Sequence, residues 1–536
     1  MRAVIKSMAT RPWVVFGAIA LLIPFAYLLN LGLMPLISDE PTRAVVTLEM
    51  LLSGNYINPT INGEFYYNKP PLFNWLLAGL IWLTGSESEL VFRTPTIVSL
   101  LLLSLAIYCF SRKHLGNPHA LLAALMMISS ARILFWDSFQ GLIDITYSLV
   151  TFLSFAAIWK FSNRGRWFLM FTISYLLAAA GFLMKGIPSL AFQGISLVVW
   201  LLWDRKFRKL FTWQHLAGIM AFALALGIYY TAYLKTNTLD EVFLTLFDQS
   251  NRLSDKEGTF LSWVKHLAAF PFEMVYEFAP WTLLVVFLFI KDVRKNILQE
   301  RFMVFNLVIF SSNIIIYWVS ADMRPRYLFM LFPLVFIVLA RAAQLTYELK
   351  HKLRTLVVYV LQAMAFLAAL SPAYYLIWDE TAGLPGVWIV IPLLIMAAAY
   401  GYFVWLRGGS LRWAGIVIIL LAVRISFNAC NLPARYNSYP DASYREGEIK
   451  AGRLAGDCKI LVLGDTPFNH DASFYIARES RQIITRTTEV LNSNACYIAD
   501  DKNLANFADR LDDYEIIHTF TIKLNETRLF LLKKSV

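Results

Sequence analysis

A set of ionisable side chains in this 536-residue chain stands beside or inside long apolar runs: Asp39, Glu40, Lys69, Arg93, Asp144, Lys185, Arg324 and Arg326. At membrane depth a charge costs roughly 2.5–3.5 kcal/mol on insertion scales, so each of these calls for a partner or a function. Carboxylates and cations gathered on one face point to a narrow range of chemistry. A carboxylate can take the proton of an acceptor hydroxyl. Lys and Arg can hold a phosphate, Arg through two parallel hydrogen bonds. A phosphate held beside an apolar groove at the lipid interface points in turn to a polyprenyl-phosphate substrate. The released lipid phosphate would be the leaving group, stabilised by the same cations.

Plainer roles exist for each residue. Asp39, with Ser38, Glu40 and Pro41, also forms a helix N-terminal signature, so capping alone explains it. Glu40 stands with Asp39 as a catalytic candidate, although an orienting role accounts for it more simply. Lys69 can snorkel to headgroups, Arg93 can mark a span end, and Asp144 can bond a neighbouring helix. Arg324 and Arg326 can bind lipid headgroups, yet they break the charge asymmetry described next. Glu273 and Glu277, one helical turn apart, read as structural.

The elements that must position these residues are membrane helices. Apolar residues make up 58% of the chain and charged residues 16%, against about a quarter charged in soluble proteins. Apolar runs fill the stretch from about residue 12 to 427, and segments of spanning length predict about 13 crossings. Seven Lys/Arg clusters, from Arg2/Lys6/Arg11 to Arg407/Arg412, then fall on one side with the N-terminus. That side is expected to be the cytoplasm, with the C-terminus outside. The net charge of +11 is on this reading a topology signal, and no nucleic-acid partner is expected. The first apolar run continues to about Leu36 without a small-residue cleavage site, so an uncleaved anchor is expected.

The expected organisation is an all-α polytopic membrane domain over residues 1–430 and a small soluble α/β domain over 431–536. External loops are placed at 34–89 and 235–265. SDEPTRAVVTLEMLLSG and PLFNWLLAGLIWLTG each read as a short helix, with turn signals between them. In the last hundred residues, strand patterns (KILVLG, RQIITRT, IIHTFTI, TRLFLLKK) mix with a helical one (ANFADRLDDY), and ASFYIAR fits either. Cys458 and Cys496 both lie there; a disulfide is permitted by an external location, and the sequence leaves it open.

The run DEPTRAVVTLEMLLSGNYINPTINGEFYYNKPPLFNW, followed by Arg93, GFLMKG and RPRYL, resembles the polytopic C-type glycosyltransferases. The nearest resemblance is to the lipid A aminoarabinose transferases and the bacterial relatives of protein O-mannosyltransferases. It implies a transferase that moves one sugar from a polyprenyl-phosphate donor to a lipid A-like or other envelope acceptor, lipid or protein. The site would lie on the periplasmic face of the bacterial inner membrane, and the reaction would invert the anomeric centre. Asp39 would be the catalytic carboxylate and Asp144 a second acidic position. Lys69 and Arg93 would contact the donor phosphate, with Lys185, Arg324 and Arg326 assisting. Arg43, Tyr66, Tyr67 and Asn68 would line the substrate. Asn68 stands where the aminoarabinose branch has a glutamate, and Pro41 displaces Arg43 by one place from that branch's basic residue. A divalent metal is left open as cofactor, the lipid-linked sugar donor is the expected co-substrate, and the oligomeric state is left open, a monomer being compatible. A transporter of lipid-linked sugars would need ionisable residues serving both faces, whereas these gather on one. An oligosaccharide ligase would differ in the size of the glycan moved.

Overall fold

Nothing in hydrocarbon satisfies a free N–H or C=O, so apolar runs of this length close their own backbone bonds as helices. The computed structural model describes residues 10–251, 260–320, 323–381, 383–490 and 495–535. Among these, eight helices are long and apolar enough to cross a membrane, from Glu89–Leu115 to Arg412–Ser438. A ninth candidate is Asn117–Ser129 with Ala131–Phe139, bent by 43° at Ser130.

The expected thirteen is therefore too many by this measure, and the shortfall has identifiable causes. Pro12–Leu28 and Pro188–Trp203 are apolar but short, each opened by a proline at its first turn. The run near Val286 is a 3₁₀ segment, Trp281–Phe289, and the run near Phe332 only begins there, as Phe332–Glu348. A hydropathy window counts apolar residues and is blind to where the backbone turns.

The first loop folds as two helices around a turn. Glu40–Ser53 stops at Gly54 and Leu72–Thr84 stops at Gly85, both glycines at positive φ (71° and 64°), which a side chain disfavours. Between them strands β1 (Thr60–Ile61) and β2 (Glu64–Phe65) form a small hairpin. Glu49, which the sequence did not single out, holds its tip. Its carboxylate accepts from Thr60 Oγ1 (2.6 Å), Asn62 N (2.6 Å) and Gly63 N (3.3 Å).

The C-terminal region is a five-stranded mixed sheet in the order β4-β3-β5-β7-β6. Its strands are β3 (Lys459–Leu463), β4 (Thr485–Thr487), β5 (Ala495–Asp500), β6 (Tyr514–Thr521) and β7 (Arg528–Lys534). β3, β4 and β5 are parallel; β7 is antiparallel to β5 and β6. Side chains alternate across the sheet. Ile460 and Val462 join the core containing Phe474 and Tyr475, while Leu461 and Leu463 meet Tyr497, Leu511 and Phe530 on the other face. ASFYIAR resolves to helix, within His470–Ser480.

Cys458 and Cys496 are joined by a disulfide across β3 and β5. Its removal is expected to cost about 2–4 kcal/mol. The check is thermal unfolding of the full-length protein with Cys458→Ser and Cys496→Ser; an unchanged melting temperature contradicts it.

The sheet domain sits on the first loop. Tyr475 Oη donates to Glu89 Oε1 (3.0 Å) and accepts from Leu36 N (3.1 Å). Arg445 bonds Glu89 (3.0 Å) and Arg481 bonds Glu87 (2.6 Å). Ser473 bonds Asn62 at the hairpin tip.

Candidate active site

Glu40 and Arg93 form the frame. The two buried side chains make a bidentate pair at 2.9 Å for both bonds. The other Arg93 N–H groups go to the carbonyls of Leu31 (2.6 Å), Met34 (3.0 Å) and Pro35 (2.8 Å). A guanidinium has five N–H donors, and all five are used. Glu40 also accepts from Ile37 N (2.8 Å) and Gly141 N (2.6 Å). A Cβ at position 141 would meet the Phe92 carbonyl at 2.5 Å, so only glycine allows this approach. Arg93 thus has no N–H left to offer a phosphate, contrary to the role the resemblance gave it. Glu40 is equally walled in. The pair ties the start of the Glu40–Ser53 helix to the second turn of Glu89–Leu115.

That anchorage leaves Asp39 free to face outward. Asp39 occupies the N-cap position, yet its side chain makes no capping bond. The capping explanation therefore fails for its carboxylate, which is 60% exposed and accepts from Arg326 Nη2 at 2.6 Å.

Arg326 comes from the turn Pro325–Leu328, and its Nε lies 3.7 Å from Asp144 Oδ2. That Nε is buried and makes no hydrogen bond among the described residues. Asp144, in the first turn of Ile143–Ser162, accepts from Lys185 Nζ at 2.5 Å. Lys185 closes the helix Trp167–Lys185, and its ammonium lies over the rings of Tyr327 (4.4 Å) and Tyr147 (5.3 Å), an arrangement that favours a cation. A chain of alternating charge thus runs from Asp39 through Arg326 and Asp144 to Lys185.

Lys69 joins this group from the turn after β2. Burial, then the charges of Lys185 and Arg43, push its ammonium down to about 7, although Asp144 and Asp39 pull the other way. Burial likewise opposes the charge of Arg326, but Asp144 and Asp39 outweigh it and hold its proton above the ordinary value. Arg43 is buried, lies 5.0 Å over the Tyr66 ring, hydrogen-bonds its hydroxyl, and reaches Asn74 Oδ1 at 3.4 Å. Tyr67 packs into an aromatic wall with Phe182, Tyr229 and Tyr233. Asn68 and Arg324 are exposed, and Arg324 takes no part in the ion pairs among the described residues.

Three neighbours were not legible in the sequence. His470, from the C-terminal region, places Nδ1 2.9 Å from Thr42 Oγ1, one turn along the helix that starts at Asp39. Burial, then Arg43, hold its imidazole below the ordinary value, which favours the neutral ring. Tyr147 and Tyr327 are the other unforeseen contacts. Among the described residues no three His, Cys, Asp or Glu side chains stand together as a metal-holding group. Asp39 and Asp144 are both engaged by cations, which does not fit them as ligands of a further cation.

Residues 68–230 match the model of the dolichyl-phosphate-mannose-protein mannosyltransferase family. An undecaprenyl phosphate-α-4-amino-4-deoxy-L-arabinose arabinosyl transferase from Pseudomonas savastanoi pv. phaseolicola is 30% identical over 205 residues, 38% of this chain and 38% of that protein. One of the same name from Edwardsiella ictaluri is 24% identical over 196 residues, 35% of this chain and 34% of that protein. The matched stretch thus spans well under half the length of these relatives. The crystal structure of ArnT from Cupriavidus metallidurans bound to undecaprenyl phosphate superimposes with a TM-score of 0.70 at 16% identity, over 97% of this chain and 98% of that one. Over residues 68–230 the chain is therefore similar to the mannosyltransferase family, and across 97% of its length it has the fold of the solved ArnT.

Proposed function

We propose that this chain is a membrane glycosyltransferase. It moves one sugar from a polyprenyl-phosphate donor to a lipid A-like acceptor at the outer face of the bacterial inner membrane. One observation carries the reading: an exposed carboxylate, Asp39, is held by a cation that also faces Asp144, within a cluster where positive charge predominates. Lys69, Lys185, Arg326 and Arg43 are set against Asp39 and Asp144. The excess of positive charge suits a phosphate. The aminoarabinose named for the relatives makes that sugar the first to try. The orientation follows from the basic clusters, which put the N-terminus in the cytoplasm and the sheet domain outside.

In the proposed step an acceptor oxygen forms a bond to the anomeric carbon as the bond from that carbon to the donor phosphate oxygen breaks. The electron pair leaves on polyprenyl phosphate. Any proton on the acceptor oxygen passes to Asp39. Arg326, Lys185 and Lys69 stabilise the charge that grows on the leaving phosphate, and Asp144 orients the first two. Attack opposite the leaving group inverts the anomeric centre. Glu40 and Arg93 position Asp39 without touching substrate. Arg43 and Tyr66 line the approach, with Tyr67 on the apolar side and Asn68 and Arg324 at the rim.

Lys69 gives this reading a pH signature. Below about 7 it is an ammonium and attracts phosphate; above, it is a neutral amine. Donor affinity is therefore expected to fall as pH rises through this range, by up to about tenfold per pH unit. A bound phosphate favours the ammonium and moves the midpoint upward. Lys69→Arg, charged throughout, is expected to flatten the profile of donor KM between pH 6 and 8.5, taken as an experimental range. A profile as steep as that of the wild type would count against this role.

A further inference from the structure

The sheet domain contains a second cleft, unrelated to the ion-pair cluster. It is a shallow, wide-open hollow at the carboxyl ends of β3, β4 and β5, with a volume of about 720 Å³. The chain leaves β3 for the helix His470–Ser480 on one face of the sheet, and leaves β5 for the helix Asp501–Asn506 on the other. Where neighbouring parallel strands send their connections to opposite faces, the loops part and leave a crevice. Open α/β sheets bind ligands at this point.

The lining has the mixed character a polyhydroxylated ligand needs. Asp465 offers carboxylate oxygens, Asn506 an exposed amide and Thr488 an exposed hydroxyl, and Phe468 and Phe507 supply half-buried rings. The wall is pre-organised. Arg486 donates to the carbonyls of Gly464 (2.6 Å) and Thr466 (3.0 Å), and Asn503 donates to Asp465 (2.9 Å) and Asp500 (2.7 Å). Asp465 also pairs with Lys502 at 2.5 Å. Arg486 is thus engaged by backbone carbonyls and Lys502 by Asp465, so both cations already have partners. Sugar hydroxyls both donate and accept, and their C–H faces pack on aromatic rings, so a saccharide fits this set of groups.

The cleft is linked to the candidate active site through His470. Phe468 lies two residues before His470, so the chain between them spans at most about 7 Å. His470 contacts Thr42, three residues beyond Asp39. We propose that this cleft binds the oligosaccharide portion of the glycolipid acceptor, so that the sheet domain selects acceptors that carry sugars beyond the site of transfer. The assignment to an acceptor rests on the transferase reading; the saccharide-binding cleft does not.

The test uses full-length protein in nanodiscs and two readouts. The first is binding of the oligosaccharide released from lipopolysaccharide by mild acid, followed by saturation-transfer NMR with an unstructured peptide mixture as competitor. Asn506→Trp, which fills the cleft from an exposed position, and the milder Asp465→Asn are each expected to weaken binding, the former by about tenfold or more. The second readout is transfer to a glycolipid with its oligosaccharide and to one trimmed of it. The variants are expected to raise KM for the first by about tenfold and leave the second unchanged. No saccharide binding by wild type, binding untouched by both variants, or displacement by peptide would each overturn the proposal. Saccharide binding that is lost in the variants, with no transfer by wild type to either glycolipid, would support the cleft and overturn the transferase reading instead.

Discussion

Asp39→Asn is expected to lower transfer by about 10²–10⁴-fold, the usual contribution of a positioned general base, with little change in folding or donor KM. The effect follows from where the carboxylate stands. It caps no backbone N–H, so its loss as an acceptor does not unravel the helix Glu40–Ser53. It is 60% exposed, so the amide is not forced into an apolar site. What the amide cannot do is take a proton or balance Arg326. Steady-state kinetics with a purified variant of wild-type melting temperature makes the measurement. Activity within a few-fold of wild type, at equal folding, would remove Asp39 from the mechanism.

Arg93→Met is expected to act in the opposite way, through stability. Removing one member of a buried, hydrogen-bonded ion pair typically costs about 3–5 kcal/mol, because the other charge is stranded. Here Glu40 would be stranded, and the carbonyls of Leu31, Met34 and Pro35 would also lose their donor. A buried polar group without a partner adds further cost. For the same reason Glu40→Met together with Arg93→Met is not expected to restore the wild-type state, although apolar replacement of an isolated pair often does. The expected readout is a large fall in melting temperature or in monodisperse yield. A normal melting temperature with a raised donor KM would instead return Arg93 to the phosphate.

The contrast between these neighbours shows what the sequence could reveal. Charge at membrane depth marked Asp39, Asp144, Lys69, Lys185 and Arg326, and the structure brings these five into one cluster. It marked Arg93 and Glu40 equally well, because cost of burial is the same whether a charge serves chemistry or architecture. Only partners separate the two, and the partners lie far apart in the chain: Glu40 and Arg93 are 53 residues from each other. The apolar runs were legible as membrane helices, whereas their breaks were not. The bend at Ser130 and the 3₁₀ course of Trp281–Phe289 leave no mark in a count of apolar residues. The C-terminal strands could be read from their pattern. The docking of Tyr475 on Glu89 and of His470 on Thr42 could not, since each pairs residues more than 380 positions apart.

The central claim is that the ion-pair cluster carries sugar transfer, and one measurement bears on it directly. Purified protein in liposomes without a membrane potential would be given undecaprenyl-phosphate aminoarabinose and lipid A, and the lipids read by mass spectrometry. The account predicts lipid A heavier by one aminoarabinose residue, with free undecaprenyl phosphate released alongside, and neither product with Asp39→Asn. Unmodified lipid A, with the donor intact but moved to the other leaflet, would contradict it and make this chain a carrier of lipid-linked sugars.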